Sequence, residues 1–157
     1  MNDTSMRKRL LQLLRQHRWA ALATTTADAT PMASMVGYAM GEDASVIYLH
    51  LSRLAAHTGN LLANGKAALV ISDADTNAED PQELARVTLQ GKCVVAARGG
   101  EEYFTAKTQY LQNLPASERL FDFADFQLFR LDVESARFVG GFAQARSFSR
   151  DELRALS

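Results

Sequence analysis

Short segments with the composition of β-strands follow one another closely in the first third of the chain, and this spacing constrains the fold most. Residues 19–26, 31–40 and 45–51 are apolar or β-branched, and only a few turn-forming residues separate them, at 27–29 and 41–43. Strands joined by such short turns form an antiparallel meander. The chain lacks the strand–helix–strand alternation of a parallel sheet, so an antiparallel architecture is expected.

The rest of the chain continues this pattern, with helices only where the strands are interrupted. Further strands are expected over residues 67–72, 85–97, 127–133 and 136–139. The last two would form a hairpin around Glu134 and Ser135, and Gly91 would mark a bulge in the long strand. Helices are expected over residues 6–17, 52–64, 101–111, 116–121 and from 149 onward. The sequence therefore predicts one domain, residues 1–157, of mainly β (α+β) class: an antiparallel barrel of six to seven strands with peripheral helices.

Charge and cysteine content restrict the partners and the compartment. A net charge of −1 provides no basic surface for nucleic acid phosphates or anionic membranes. No apolar run approaches the roughly 18 residues of a membrane span, and Arg15 interrupts the N-terminal leucines, which favours a folded helix over a secretory signal. Cys93 is the only cysteine, so no intramolecular disulfide can form and a reducing compartment is expected. We expect a cytoplasmic protein that binds neither nucleic acid nor membrane.

The motifs of several enzyme classes are missing from the sequence. The pair Gly99-Gly100 does not form a dinucleotide-binding loop, and there is neither a phosphate-binding loop of the Walker type nor a Gly-x-Ser-x-Gly elbow. The three histidines, His17, His50 and His57, lack the spacing of metal ligands. No metal site is therefore predicted, and no catalytic residue is assigned. Residues 73–83 carry five acidic residues and no basic one, which favours a solvated loop.

The junction between the third strand and its following helix, residues 50–58, is the one place with convergent polar chemistry. Ser52 and Thr58 supply hydroxyl groups, Arg53 a guanidinium and His57 a ring donor. The first turn of a helix capped by Ser52 would add backbone N–H groups and the positive end of its dipole. Together these groups suit a phosphate monoester. The alternative is an ordinary capped helix with Arg53 and His57 in solvent.

Five further sequence signatures occur in a fixed order along the chain. They comprise residues 19–24, 31–36, 52–61, 86–91, and 123–126 together with 139–145. In these segments the chain resembles the pyridoxamine 5′-phosphate oxidase-like FMN-binding split barrels, and within them the short relatives of the haem-utilisation proteins. The resemblance extends over residues 15–145 and implies a split β-barrel that works as a homodimer with FMN at the subunit interface.

The resemblance also implies cofactor-binding residues. The strand whose backbone runs along the isoalloxazine edge would comprise Pro31, Met32, Ala33, Ser34, Met35 and Val36. The phosphate end of the site would comprise Ser52, Arg53, Leu54, His57 and Thr58. Arg86 and Thr88 would lie near the flavin or its phosphate, and the partner subunit would contribute Gly141, Phe142 and Gln144.

The leading hypothesis is an FMN-dependent oxidoreductase that acts on an unidentified small molecule, with the flavin performing the chemistry. Two alternatives remain open: a haem-binding or haem-degrading protein on the same barrel, and a flavin carrier or sensor without catalysis. The chain departs from pyridoxamine phosphate oxidases proper because no histidine follows His57. It also ends at Ser157, without the C-terminal segment that supplies the iron ligand in longer haem-degrading relatives. A haem ligand in this chain is therefore expected to be His17, His50 or His57.

Overall fold

The computed structural model describes residues 1–78 and 80–157 and contains one antiparallel sheet of eight strands. The strands are β1 Trp19–Thr25, β2 Pro31–Gly37, β3 Ala39–Met40, β4 Val46–Ser52, β5 Lys66–Ser72, β6 Arg86–Ala96, β7 Phe126–Val139 and β8 Ala145–Ser149. The helices are α1 Asp3–Gln16, α2 Ala56–Ala63, α3 Glu101–Asn113 and α4 Arg150–Arg154. Two 3₁₀ helices lie at Pro81–Glu83 and Pro115–Asp122. Among the described residues, no helix is both long and apolar enough to cross a membrane.

The strands are ordered β2-β1-β5-β6-β7-β4-β3, with β8 paired to the far part of β7. The sheet curls into a split barrel, which confirms the predicted α+β fold class, although the strands number eight rather than six or seven. The two additional strands are short. β3 pairs only two residues with β4, and β8 lies in a segment for which the sequence predicts no strand.

The long strand β7 replaces the closing hairpin predicted around Glu134 and Ser135, and that prediction is wrong. Ser135 pairs with Gln90, whereas Val133 pairs with Gly91, so Glu134 is the extra residue of a β-bulge. A Cβ on Gly91 would lie 2.0 Å from the carbonyl oxygen of Asp132 on the facing strand. The predicted bulge at Gly91 is therefore confirmed, and the polar residues opposite it mark the same bend rather than a turn.

The second predicted strand, residues 31–40, is divided by Tyr38. The Tyr38 side chain is fully buried, its hydroxyl donates to the Leu14 carbonyl at 2.9 Å, and its backbone N–H donates to Arg18. These bonds fix the turn between β2 and β3 against the end of α1. As predicted, the amphipathic helix α1 covers the barrel, with Leu10, Leu13 and Leu14 fully buried.

Helix α2 begins at Ala56, four residues later than predicted, and Ser52 is not its cap. Ser52 is the last residue of β4, paired with Phe126. Its hydroxyl donates to Asp125 at 2.7 Å and accepts from the Leu54 N–H. The actual N-cap, Ala55, makes no side-chain capping bond. At the other end of the chain, the predicted capping box of Ser149 and Glu152 on α4 is confirmed.

The described residues form two apolar clusters, one on each face of β4. Ile47, Leu49 and Leu51 point into the main barrel core. Tyr48 belongs to a second cluster under α3 and the 3₁₀ helix Pro115–Asp122, and His50 lies in the same region, stacked on Phe121. Because β4 is buried on both faces, its last residues form a wall between the barrel core and the α3 side.

The acidic stretch 73–83 is only partly the solvated loop that its composition favours; Glu79 lies outside the described residues. Asp73 is three-quarters buried, forms an ion pair with Arg9 and lies within hydrogen-bond distance of His17, both in the N-terminal segment. Its N–H donates to Ala85, so the beginning of the stretch is bound to the barrel. Cys93 is buried, as expected, and burial raises the pKa of its thiol to about 12.

Candidate functional site

A cavity of about 300 Å³ lies between the end of β4, the start of β1 and the α3 side of the molecule. We call it the β4 cavity; it is lined by Trp19, Met35, Val36, Gly37, His50, Leu51, Ser52, Ala55, His57, Tyr110, Leu114, Ser117 and Leu120. Its volume is at the lower end of the range for small-molecule sites, and its walls are mainly apolar with a few polar groups, as such sites usually are.

His50 is the most unusual residue of this wall. Its side chain is 6% exposed, and neither ring nitrogen has a hydrogen-bond partner among residues 1–78 and 80–157. The imidazole stacks on Phe121, with ring centroids 3.7 Å apart and planes 4° from parallel. Burial, reinforced by the charges of Arg98 and Lys107, lowers the pKa of His50 to about 4. At neutral pH the cavity wall therefore contains an uncharged imidazole.

The other two histidines differ in position. His57, at the start of α2, lines the β4 cavity, is half-buried, and has a pKa lowered by that burial. His17 lies away from the cavity, with its Nε2 3.0 Å from Asp73. Of the three candidate iron ligands, the structure therefore brings two, His50 and His57, to one cavity.

The predicted phosphate residues diverge in the structure. Ser52 and His57 reach the β4 cavity, whereas the Thr58 side chain is fully buried inside the molecule. Leu54 is 88% exposed. Arg53 is exposed and donates to the Ala124 carbonyl at 3.3 Å. Because α2 begins only at Ala56, its first turn does not present its N–H groups to all of these side chains.

Arg53 lines a second, smaller cavity of about 170 Å³. Arg98 lies on the same cavity and donates to the carbonyls of Phe123 and Phe126. Gln127 completes the polar lining, and its Oε1 has no hydrogen-bond partner within the described part of the chain. We call this the arginine cavity; its two guanidinium groups suit an oxyanion.

Strand β2 is the last strand on one side of the sheet, paired with β1. Met35 and Val36 line the β4 cavity. Met32 does not line this cavity, and its sulfur lies 3.9 Å from Asn60 Nδ2. The remaining predicted residues of this strand are at least partly exposed: Pro31, Ala33 and Ser34.

The other predicted residues lie away from the β4 cavity within the same chain. Arg86 donates to the carbonyls of Gln82 and Leu84. Thr88 is half-buried on β6, opposite Val70. The residues Gly141, Phe142 and Gln144 form the tip between β7 and β8, where Gly141 has a φ of 137° and Phe142 is 81% exposed.

Sequence reasoning missed the α3 side of the site. Tyr110, Leu114, Ser117 and Leu120 come from a helical region more than fifty residues away from β4. The buried spacing of Tyr103, Ala106 and Tyr110 identifies one packed face of α3, but it does not indicate what that face covers. The sequence predicts Trp19 as the first residue of a strand, but the residues around it give no sign that it lines a cavity.

Comparisons with known proteins give a consistent relationship. The family model of pyridoxamine 5′-phosphate oxidase matches residues 6–140. The chain is 35% identical over 131 residues to the chloroplastic heme oxygenase HOZ of Arabidopsis thaliana, covering 80% of this chain and 38% of that protein. It is 27% identical over 133 residues to the heme oxygenase HutZ of Vibrio cholerae, covering 84% and 74%. The structure of a heme binding protein from Mycobacterium smegmatis superimposes with a TM-score of 0.88 at 27% identity, over 99% of this chain and 62% of that one.

Proposed function

Because the chain belongs to the pyridoxamine 5′-phosphate oxidase family, we propose that it binds a large planar cofactor, and that this cofactor is haem held in the β4 cavity. His57 is the candidate iron ligand. The proposal rests on one observation: two imidazoles with lowered pKa values lie on the wall of a mainly apolar cavity. Iron binds the neutral form of imidazole, which this wall maintains at pH 7.

The types of side chain that line the β4 cavity are suited to haem. His57 is half-buried and reaches the cavity, whereas the nitrogens of His50 are shielded from solvent. Trp19, Met35 and Leu114 provide apolar surface for a conjugated ring. When bound, haem supplies an iron that can bind dioxygen. The named relatives are heme oxygenases and a heme binding protein, so we propose haem degradation as the activity to test first.

Absorption spectroscopy of the purified protein, titrated in parallel with haemin and with FMN, tests this function. We expect a saturable Soret band with haemin, and a shifted, weaker band in His57→Ala. His17→Ala is the matched control, because it removes an imidazole that lies outside the cavity and is bound to Asp73. A haemin spectrum that the protein leaves unchanged, or one altered equally by His17→Ala and His57→Ala, would overturn the proposal.

FMN is the second candidate, and the arginine cavity favours it. Arg53 and Arg98 would receive the flavin phosphate there, and the backbone of β2 from Pro31 to Val36 would run along the ring. Ser52 and His57 line the β4 cavity instead. In this case the protein is an FMN-dependent oxidoreductase or a flavin carrier. A flavin spectrum lost in Arg53→Ala supports FMN binding, and turnover with NADH or NADPH and an acceptor separates the enzyme from the carrier.

Both candidates are proposed to act as a homodimer. The outward face of β1, β2 and β5 carries a patch of small and apolar side chains in register: Ala21 pairs with Met35 and with Val70, and Ala23 pairs with Ala33. Met35 and Val70 are exposed, which makes this face suitable for a partner subunit. Gly141, Phe142 and Gln144 would then reach the partner's site. Sedimentation equilibrium of Val70→Glu against wild type tests the dimer.

A further inference from the structure

We propose that the β4 cavity recognises a planar conjugated carboxylate, and that the His50 imidazole donates a hydrogen bond to its carboxylate group. The proposal shares the cavity with the proposed function but requires no iron. Haem is one conjugated carboxylate, and a smaller aromatic acid is another. The shared chemistry is an oxyanion attached to a flat apolar body.

The first argument is the unused hydrogen-bonding capacity of His50. A neutral imidazole carries one donor and one acceptor. In His50 both nitrogens lack a hydrogen-bond partner among the described residues, although only 6% of the residue is exposed to solvent. Burying such groups unpaired destabilises the fold. The side chain at position 50 shares its face of β4 with Tyr48, which belongs to an apolar cluster, and an apolar side chain at position 50 would avoid this cost. A ligand that pairs with the ring accounts for the imidazole.

The second argument is the charge around the ring. Arg98 and Lys107 both act on His50, and Lys107 Nζ lies 5.2 Å from the centroid of the Phe121 ring on which His50 stacks. Asp125, the carboxylate at the end of the neighbouring strand, accepts from Ser52. Two cations therefore act on the His50 ring, although neither lines the β4 cavity, and this favours an acceptor that carries negative charge.

The third argument concerns the body of the ligand. Phe121, Tyr110 and Phe126 surround the imidazole with ring centroids between 3.7 and 5.8 Å away. Phe121 belongs to the 3₁₀ helix Pro115–Asp122, which at eight residues is long for its type. In the proposed complex this segment is displaced, so that the His50 nitrogens and the aromatic ring surfaces face the ligand. A flat conjugated molecule can then replace the Phe121 ring on the imidazole side.

The test uses metal-free protoporphyrin IX, a conjugated dicarboxylate, and its dimethyl ester, which has the same ring without the carboxylates. Binding is read from quenching of Trp19, the only tryptophan in the chain, which lines the cavity. Wild type, His50→Phe and His50→Gln are compared, with His17→Phe as the matched control for loss of an imidazole elsewhere. Thermal unfolding of each variant establishes that it is folded.

We expect the acid to bind wild type at least about tenfold more tightly than the ester, as one hydrogen bond to a charged group predicts. His50→Phe should remove this preference, His50→Gln should restore part of it, and His17→Phe should leave it intact. Equal affinities for acid and ester in wild type would overturn the inference even if no variant folds. A smaller acid, 2-naphthoate, that competes with protoporphyrin assigns the site to aromatic acids in general, and its failure restricts the site to porphyrins. Haemin binding without protoporphyrin binding would refute this inference and leave the haem proposal standing.

Discussion

Replacing His50 by Phe should stabilise the ligand-free protein, although the residue lies in the wall of the β4 cavity. The imidazole buries a donor and an acceptor, and neither has a hydrogen-bond partner among the described residues. An unpaired buried polar group costs about 1–3 kcal/mol. Phenylalanine keeps the aromatic stack on Phe121 and removes both polar atoms.

The larger ring opposes part of this gain. Overpacking a filled core costs about 1–3 kcal/mol, but position 50 borders a cavity of about 300 Å³, so the added atoms have space. We therefore expect a net stabilisation of about 1 kcal/mol, which raises the melting temperature of a chain of this size by about 2–4 °C.

Thermal and urea unfolding, followed by circular dichroism on ligand-free protein, measure the change. His17→Phe provides the contrast, because His17 has a partner in Asp73, and its loss should cost about 0.5–1.5 kcal/mol. A His50→Phe protein that unfolds about 1 kcal/mol more easily than wild type would refute the reasoning, since it would mean that the imidazole is satisfied before any ligand binds.

Three further predictions concern pH and the packing of the barrel. The folded-state pKa of His50 is about 4 against an ordinary value of 6.5, so the unfolded chain takes up the proton first. The free energy of unfolding is therefore highest above pH 6.5 and falls by roughly 3 kcal/mol at most as the pH is lowered to 4. Urea titrations across this pH range should show a smaller loss of stability in His50→Phe than in wild type. Gly91→Ala should destabilise by about 3 kcal/mol or more, because its Cβ meets the facing backbone, whereas Gly59→Ala, with open space around it, should be neutral or stabilising in the same melts. Tyr38→Phe should cost about 1–2 kcal/mol through the lost bond to Leu14, and a change below 0.5 kcal/mol in denaturant unfolding would contradict this.

The sequence predicts those features of the fold that are encoded locally. Short turns at residues 27–29 and 41–43 indicate the antiparallel meander, and Gly91 indicates the bulge, because a turn and a glycine act on their own neighbours. Glu134 and Ser135 misled the prediction for a physical reason. Two polar residues between apolar runs have the composition of a turn, but here they form the bulge of β7 opposite Gly91 of β6, a strand more than forty residues earlier.

The candidate site was less predictable than the fold because it is assembled from distant parts of the chain. Ser52, His57, Met35 and Val36 were identified through their segments, and all four line the β4 cavity. The burial of the His50 imidazole depends on Phe121, which stacks on it from the 3₁₀ helix that follows α3. No local pattern reports a missing hydrogen-bond partner, since partners are decided by the tertiary structure.

The pairing of β4 has a consequence for the order in which the chain is made. β4 pairs over two residues with β3, but over seven with β7, whose first residue, Phe126, faces Ser52. During synthesis on the ribosome, β4 therefore emerges long before β7, the strand with which it forms most of its pairs. The apolar residues of β4 stay without this partner until most of the remaining chain has been made. Chaperones that bind exposed apolar strands have this interval in which to act, and a nascent chain released before β7 cannot form the cavity wall. The cavity wall is thus completed only towards the end of synthesis.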